Sequence, residues 1–241
     1  MKASPSDQSA ILEVQRLDDQ LASLAQREAT LPETQALNSV TIKRNNVRDL
    51  RVAAETERTD VKRELSRAEG DVEQIVTRIN RDEARLSSGT GTPKELEQTQ
   101  HELGTLNARR AELEEAELTI MVVVEELTNR VTELSAQEEA LNAEIAECEI
   151  KRENALTIII NERNAVNEKR SACFAPIADD LKKLYTKLAE DNNGNGAAPL
   201  VGNQCKGCHL TINTTEISRI ATLPADEVVR CEQCRCILVR E

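Results

Sequence analysis

The chain has 241 residues and a formal net charge of −12, with one Phe, one Tyr and no Trp. So few aromatics exclude a conventional compact core over most of this length, and the negative charge disfavours nonspecific binding to DNA or anionic lipid. No run approaches the 18 apolar residues of a membrane span, and Met1-Lys2-Ala3-Ser4-Pro5 lacks the apolar segment of a secretory signal.

The expected setting is therefore the cytoplasm, with no membrane contact, where seven cysteines stay reduced or metal-bound.

Residues 1–191 predict an antiparallel coiled-coil hairpin. In the first arm Val47, Ala54, Val61, Ala68 and Ile75 recur every seven residues, with Leu65, Val72, Ile79 and Leu86 as the companion row. In the second arm Leu106, Leu113, Ile120, Leu127, Leu134, Leu141 and Cys148 do the same, accompanied by Leu103, Val124, Val131 and Ile145. Apolar positions at alternating steps of three and four are the pattern of a coiled-coil seam. Cys148 falls on that seam as a packed thiol.

The tip is expected at 87–93. Gly89 can end the first helix, and Thr92, Pro93 and Glu95 supply the cap, first-turn proline and capping-box glutamate of the next. A fold-back here pairs positions whose numbers sum to about 178, so that Val72 meets Leu106, Leu65 meets Leu113 and Val47 meets Val131. Charge agrees: residues 112–149 carry twelve Glu and one Arg, and the facing stretch 31–68 is slightly basic. Opposed charges beside a seam set its register more than its stability. Pro32 should break the first arm and Pro176 the second, with a further helix over Lys182–Glu190. Arms of about 80 residues would be about 120 Å long.

Asp191-Asn192-Asn193-Gly194-Asn195-Gly196 opens a flexible linker over 192–203. The segment 204–241 then reads as a small β-rich zinc ribbon. Its metal ligands are Cys205 and Cys208, and Cys231 and Cys234. Two Cys-x-x-Cys pairs with a 22-residue spacer suit one tetrahedral Zn2+ with four thiolates. Gly207 is expected to supply a positive φ in the first turn. A strand at Leu210–Ile212, a helix at Glu216–Ala221, and strands at Val228–Val229 and Ile237–Val239 would complete the ribbon. Cys236 is a third thiol in the second cluster. Cys234 is preferred as the ligand because it repeats the spacing of the first pair. His209 is not needed, since four thiolates fill the shell.

Four protein ligands leave no position for substrate, so the zinc is expected to be structural, and no catalytic residues are assigned. His101 and His209 form no Ser-His-Asp set, and no phosphate loop is present. The chain is therefore read as non-enzymatic, with no small-molecule substrate.

The combination resembles a widespread bacterial family of coiled-coil hairpin proteins ending in a four-cysteine zinc ribbon. The resemblance rests on Gly89-Thr90-Gly91-Thr92-Pro93-Lys94-Glu95-Leu96 with Gln100-His101-Glu102-Leu103, on Leu181 to Leu188 with Tyr185, and on Cys205-Lys206-Gly207-Cys208-His209 and Cys231-x-x-Cys234 with Ile237-Leu238. It departs at Cys234-Arg235-Cys236, where the family has Cys-Gly-Arg. The resemblance implies an adaptor or regulator that binds partner proteins and sometimes RNA. The alternative is a protein that binds RNA or DNA through the ribbon. There, basic and acidic residues balance, no aromatic is available to stack a base, and Arg230, Arg235 and Arg240 are the cations that could line one edge.

Overall fold

A computed structural model describes residues 1–240; Glu241, the last residue of the expected ribbon, lies outside them. The helices are α1 (Pro5–Ala29), α2 (Pro32–Ser87), α3 (Pro93–Phe174), α4 (Asp179–Asp191) and α5 (Thr214–Thr222), with strands β1 (Ala197–Val201), β2 (Gln204–Cys205), β3 (Val229–Arg230) and β4 (Ile237–Arg240). The architecture is mainly α: a long helical hairpin with a small C-terminal β region. Two compact units divide the chain, 36–148 and the combination of 1–35 with 149–241.

The first unit is the hairpin of α2 and α3. Gly89 turns the chain with φ 63°. The capping box then forms: Thr92 N–H donates to Glu95 Oε2 at 2.8 Å, and Glu95 N–H reaches Thr92 Oγ1 at 3.4 Å. Both breaks occur at the expected prolines, with Pro32 opening α2 and α3 ending before Pro176.

The pairing along the hairpin differs from the simple fold-back rule. Leu106 packs with Ile79 and Ile75 rather than Val72, and Val131 packs with Ala54 as well as Val47. Arg51 Nε bonds Glu138 Oε2 at 2.7 Å, and Arg78 pairs with Glu102. The displacement has a physical cause. Helical side chains lean toward the N-terminus of their own helix, away from the tip on α2 and toward it on α3. Side chains that meet therefore come from α3 residues further along than those whose backbones face each other. Long Arg and Glu side chains widen the offset.

In the second unit α1 runs beside the C-terminal part of α3. Arg27–Glu162, Glu28–Arg163 and Asp18–Arg170 pair across them. Ser4 caps α1 by accepting the N–H of Asp7 at 3.0 Å, and Pro5 takes the first helical position. Its buried face, Ile11, Val14, Leu17 and Leu24, follows helical spacing.

The strands form one sheet in the order β2-β1-β4-β3, with β1 and β4 parallel and the other pairs antiparallel. Alternation splits the sheet between two cores. Ala197, Ile237 and Val239 pack with Ile11 and Val14 of α1 and with Leu181, Tyr185 and Leu188 of α4. Ala198, Leu238 and Val229 pack with the cysteines and with Ile220 of α5.

The segment 192–203 is thus not a free linker. Residues 197–201 are the inner strand β1, and the preceding turn is held by Gln15. Gln15 Oε1 accepts N–H groups from Gly196 at 2.8 Å and Ala197 at 3.1 Å, while its Nε2 donates to the Gly194 carbonyl at 2.9 Å. Asn and Gly made the stretch look mobile, but the polar partner that fixes it lies about 180 residues away on α1.

Candidate metal centre

Both cysteine pairs sit in the same backbone turn. In the first, Cys205 N–H donates to the Leu210 carbonyl at 3.1 Å and His209 N–H to the Cys205 carbonyl at 2.8 Å. In the second, Cys231 N–H donates to the Cys236 carbonyl at 3.0 Å and Arg235 N–H to the Cys231 carbonyl at 2.9 Å. The knuckles correspond residue by residue: Cys205 to Cys231, Cys208 to Cys234, His209 to Arg235, and Leu210 to Cys236.

The left-handed position of each turn follows the second cysteine. His209 has φ 60° and Arg235 φ 61°. Gly207 does not take a positive φ, contrary to expectation. Its lack of a side chain serves a close approach instead: a Cβ there would lie 2.8 Å from Asn195 Nδ2 and 3.0 Å from the Ala198 Cβ.

The four expected ligands converge. The Sγ atoms of Cys205, Cys208, Cys231 and Cys234 all lie within 4.8 Å of one another. Cys205 and Cys234 Sγ are 3.9 Å apart, as are Cys208 and Cys231. A tetrahedron with metal–sulfur bonds of about 2.3 Å has edges of about 3.8 Å, so the set fits zinc. Cys205 and Cys231 are buried, and Cys208 and Cys234 partly so. Without a cation, burial pushes the Cys234 thiol up to about 12 and raises Cys236 still further. A divalent cation reverses that preference, because bound sulfur is deprotonated.

Around the knuckles, α5 and the loop after it are held by Arg240. Its guanidinium donates to the carbonyls of Ile220 (3.2 Å), Leu223 (3.0 Å), Pro224 (2.7 Å), Ala225 (3.2 Å) and Glu227 (2.9 Å). Arg240 is thereby removed from the row of cations expected on one edge. Arg230 and Arg235 remain exposed. The expected strand Leu210–Ile212 reduces to a single bridge of Thr211 with Gln204, and α5 starts two residues early because Asn213 caps it through Thr215 N–H.

Sequence reasoning missed the supports on the helical side. Tyr185 is buried, and its hydroxyl donates to Asp18 Oδ2 at 2.7 Å. Burial, then the bond to the Asp18 carboxylate, raises its pKa above the ordinary phenol value. Asp18 also takes the guanidinium of Arg170, which lies 5.1 Å above the ring of Phe174. A lone tyrosine in an aromatic-poor chain was the signal available for this cluster.

These features define a helical-hairpin protein carrying a four-cysteine zinc ribbon. The CT398-like coiled coil hairpin domain matches residues 14–193, and the C4-type zinc ribbon domain matches residues 204–238; the chain belongs to the CT398-like coiled-coil hairpin family. It is similar to the Mycobacterium tuberculosis protein Rv2229c, with 34% identity over 244 residues, covering 100% of this chain and 98% of the relative. A solved structure from Mycobacterium smegmatis matches with 33% identity and a TM-score of 0.92 over 100% of both chains. CT398 from Chlamydia trachomatis shares the fold, with a TM-score of 0.74 and 18% identity over 98% of both chains.

Proposed function

We propose that this chain is a non-enzymatic adaptor that binds a partner protein, with one structural zinc ion fixing the shape of its ribbon. The observation that carries the reading is apolar surface on α3 beyond what the seam uses. Leu118 is 61% exposed, and Met121 and Val122 lie on the same helical face, three and four residues on, also exposed. The four mutually close thiolates leave no open metal position, which supports a folding role for the ion. Thiolate ligands and unpaired cysteines suit a reducing cytoplasm.

The test is crosslinking in cells, comparing the parent chain with Leu118→Glu/Val122→Glu. These exposed sites tolerate charge, so the hairpin should keep its helicity. A protein crosslinked to the parent and lost from the variant is the expected result. An unchanged set of crosslinked proteins, or RNA alone, would overturn it.

RNA or DNA binding through the ribbon is the second reading. It rests on Arg230 and Arg235, exposed and without an ion pair among the described residues. A salt titration decides it: affinity falling steeply with salt and reduced by Arg230→Ala/Arg235→Ala supports nucleic-acid contact, and absence of binding at low salt removes it.

A further inference from the structure

The metal centre contains a fifth sulfur that the four-ligand description does not use. Cys236 is fully buried. Its Sγ lies 3.2 Å from Cys234 Sγ and 3.7 Å from Cys205 Sγ. The second distance is as short as the 3.9 Å separating Cys205 from its ligand neighbour Cys234. Strand alternation explains the orientation: Cys236 and Leu238 face the metal side of the sheet, and Ile237 and Val239 face the helices.

The correspondence between the knuckles makes the feature specific. Leu210 occupies the position of Cys236 in the first turn and is 51% exposed. Cys208, the counterpart of Cys234, therefore has no such neighbour. Its sulfur neighbours, Cys205, Cys231 and Cys234, are the other three of the four.

We propose that Cys236 is a reserve ligand, taking the place of Cys234 at the metal when the Cys234 thiolate is lost. The centre is then a five-thiol site that holds one ion. In the exchange the bond from zinc to Cys234 sulfur would be replaced by one to Cys236 sulfur, and the Cys236 thiol proton would pass to the departing Cys234 sulfur 3.2 Å away. The count of four thiolates and the charge of the centre are unchanged. The proposal rests on the zinc reading of the cluster and adds that the second knuckle, unlike the first, is redundant.

The test compares the full-length parent with Cys234→Ala, Cys234→Ser, Cys236→Ala, Cys234→Ala/Cys236→Ala and Cys208→Ala. Zinc per chain is measured after gel filtration, and the thiolate-to-metal charge-transfer band after loading with cobalt. That band grows with each thiolate bound. Cys234→Ala, Cys234→Ser and Cys236→Ala are expected to hold one zinc and to keep the parental band. Cys208→Ala and the double variant are expected to lose about a quarter of the band, one thiolate in four, or to lose the metal altogether. The reserve role is overturned if both single Cys234 variants behave like Cys208→Ala, whether through a weakened band, lost metal or failure to fold with zinc present. A parent that binds no zinc overturns the metal reading itself, a distinct outcome.

Discussion

Gly196 donates its backbone N–H to Gln15 Oε1 at 2.8 Å, so a side chain on the first helix fixes the turn that starts the ribbon sheet. The acceptor is shared with Ala197 N–H, and the whole arrangement is buried. Gln15→Leu keeps the bulk and removes the acceptor. It should cost about 2–4 kcal/mol, since two buried donors lose their partner. Urea denaturation measures the loss, and hydrogen exchange should quicken first at Gly196 and Ala197. A change below about 0.5 kcal/mol would show that the bond orders the turn without stabilising it.

Gly196 is also a close-approach glycine. A Cβ there would lie 2.8 Å from two ring carbons of Tyr185 and 2.9 Å from its carbonyl oxygen. The ring is buried and the carbonyl belongs to α4, so neither yields freely. Gly196→Ala should destabilise this unit by about 1–3 kcal/mol, read as a lower midpoint in thermal denaturation.

Arg235 holds a left-handed backbone, φ 61°, without being glycine. Arg235→Gly should stabilise the zinc-loaded chain by up to about 1 kcal/mol by relieving the Cβ strain. His209→Gly should act in the same direction at φ 60°. Chelator competition and thermal denaturation of the loaded protein check both; a loss of stability would show that the side chain outweighs the strain.

Chelation should unfold the ribbon while α2 and α3 stay helical, because structural zinc supplies on the order of 10–16 kcal/mol to small domains. Far-ultraviolet circular dichroism should change modestly, with exchange rising sharply across 197–240. The pH dependence has a fixed sign. Burial raises the Cys234 thiol to about 12 without a cation, so binding near neutral pH must expel protons. Zinc affinity rises with pH, and acid releases the ion. Competition titrations at two pH values test this.

At the tip, Thr92 N–H and hydroxyl hold the Glu95 carboxyl below its ordinary value. A lowered carboxylate pKa contributes stability above the usual carboxylate range, and the contribution is lost as pH falls through the folded value. Acid, like Glu95→Gln, should therefore fray the start of α3. Thr92→Ala removes the cap and should cost about 1 kcal/mol locally. Amide exchange over residues 93–96 reports both.

Heptads, prolines and paired cysteines made the hairpin, its tip and the clustering of the four cysteines legible, because each is a local pattern with one dominant physical meaning. What the sequence hid was long-range. The strand Ala197–Val201 looks like linker because Asn and Gly precede it and its partner β4 is some 40 residues on. Gln15 looks like an ordinary surface residue of α1, and nothing local announces the backbone donors it meets. The fold-back rule missed the pairing at Leu106 because it counted backbone positions, whereas contact is made by side chains that lean along the helix. The positive φ was assigned to Gly207 on residue type alone, and the turn placed it on His209 and Arg235.

The unit that contains the four cysteines is assembled from two stretches, 1–35 and 149–241, separated in the sequence by the hairpin unit 36–148. On a ribosome, α1 emerges before the hairpin and must wait while the hairpin is made. The hairpin can close through contacts within its own stretch, and domains generally fold as units during synthesis. The partners α1 needs, Tyr185, Ala197 and Ile237, arrive only after the hairpin. The four cysteines can therefore come together only after Cys231 and Cys234 have been made, by which point the whole hairpin stretch already exists.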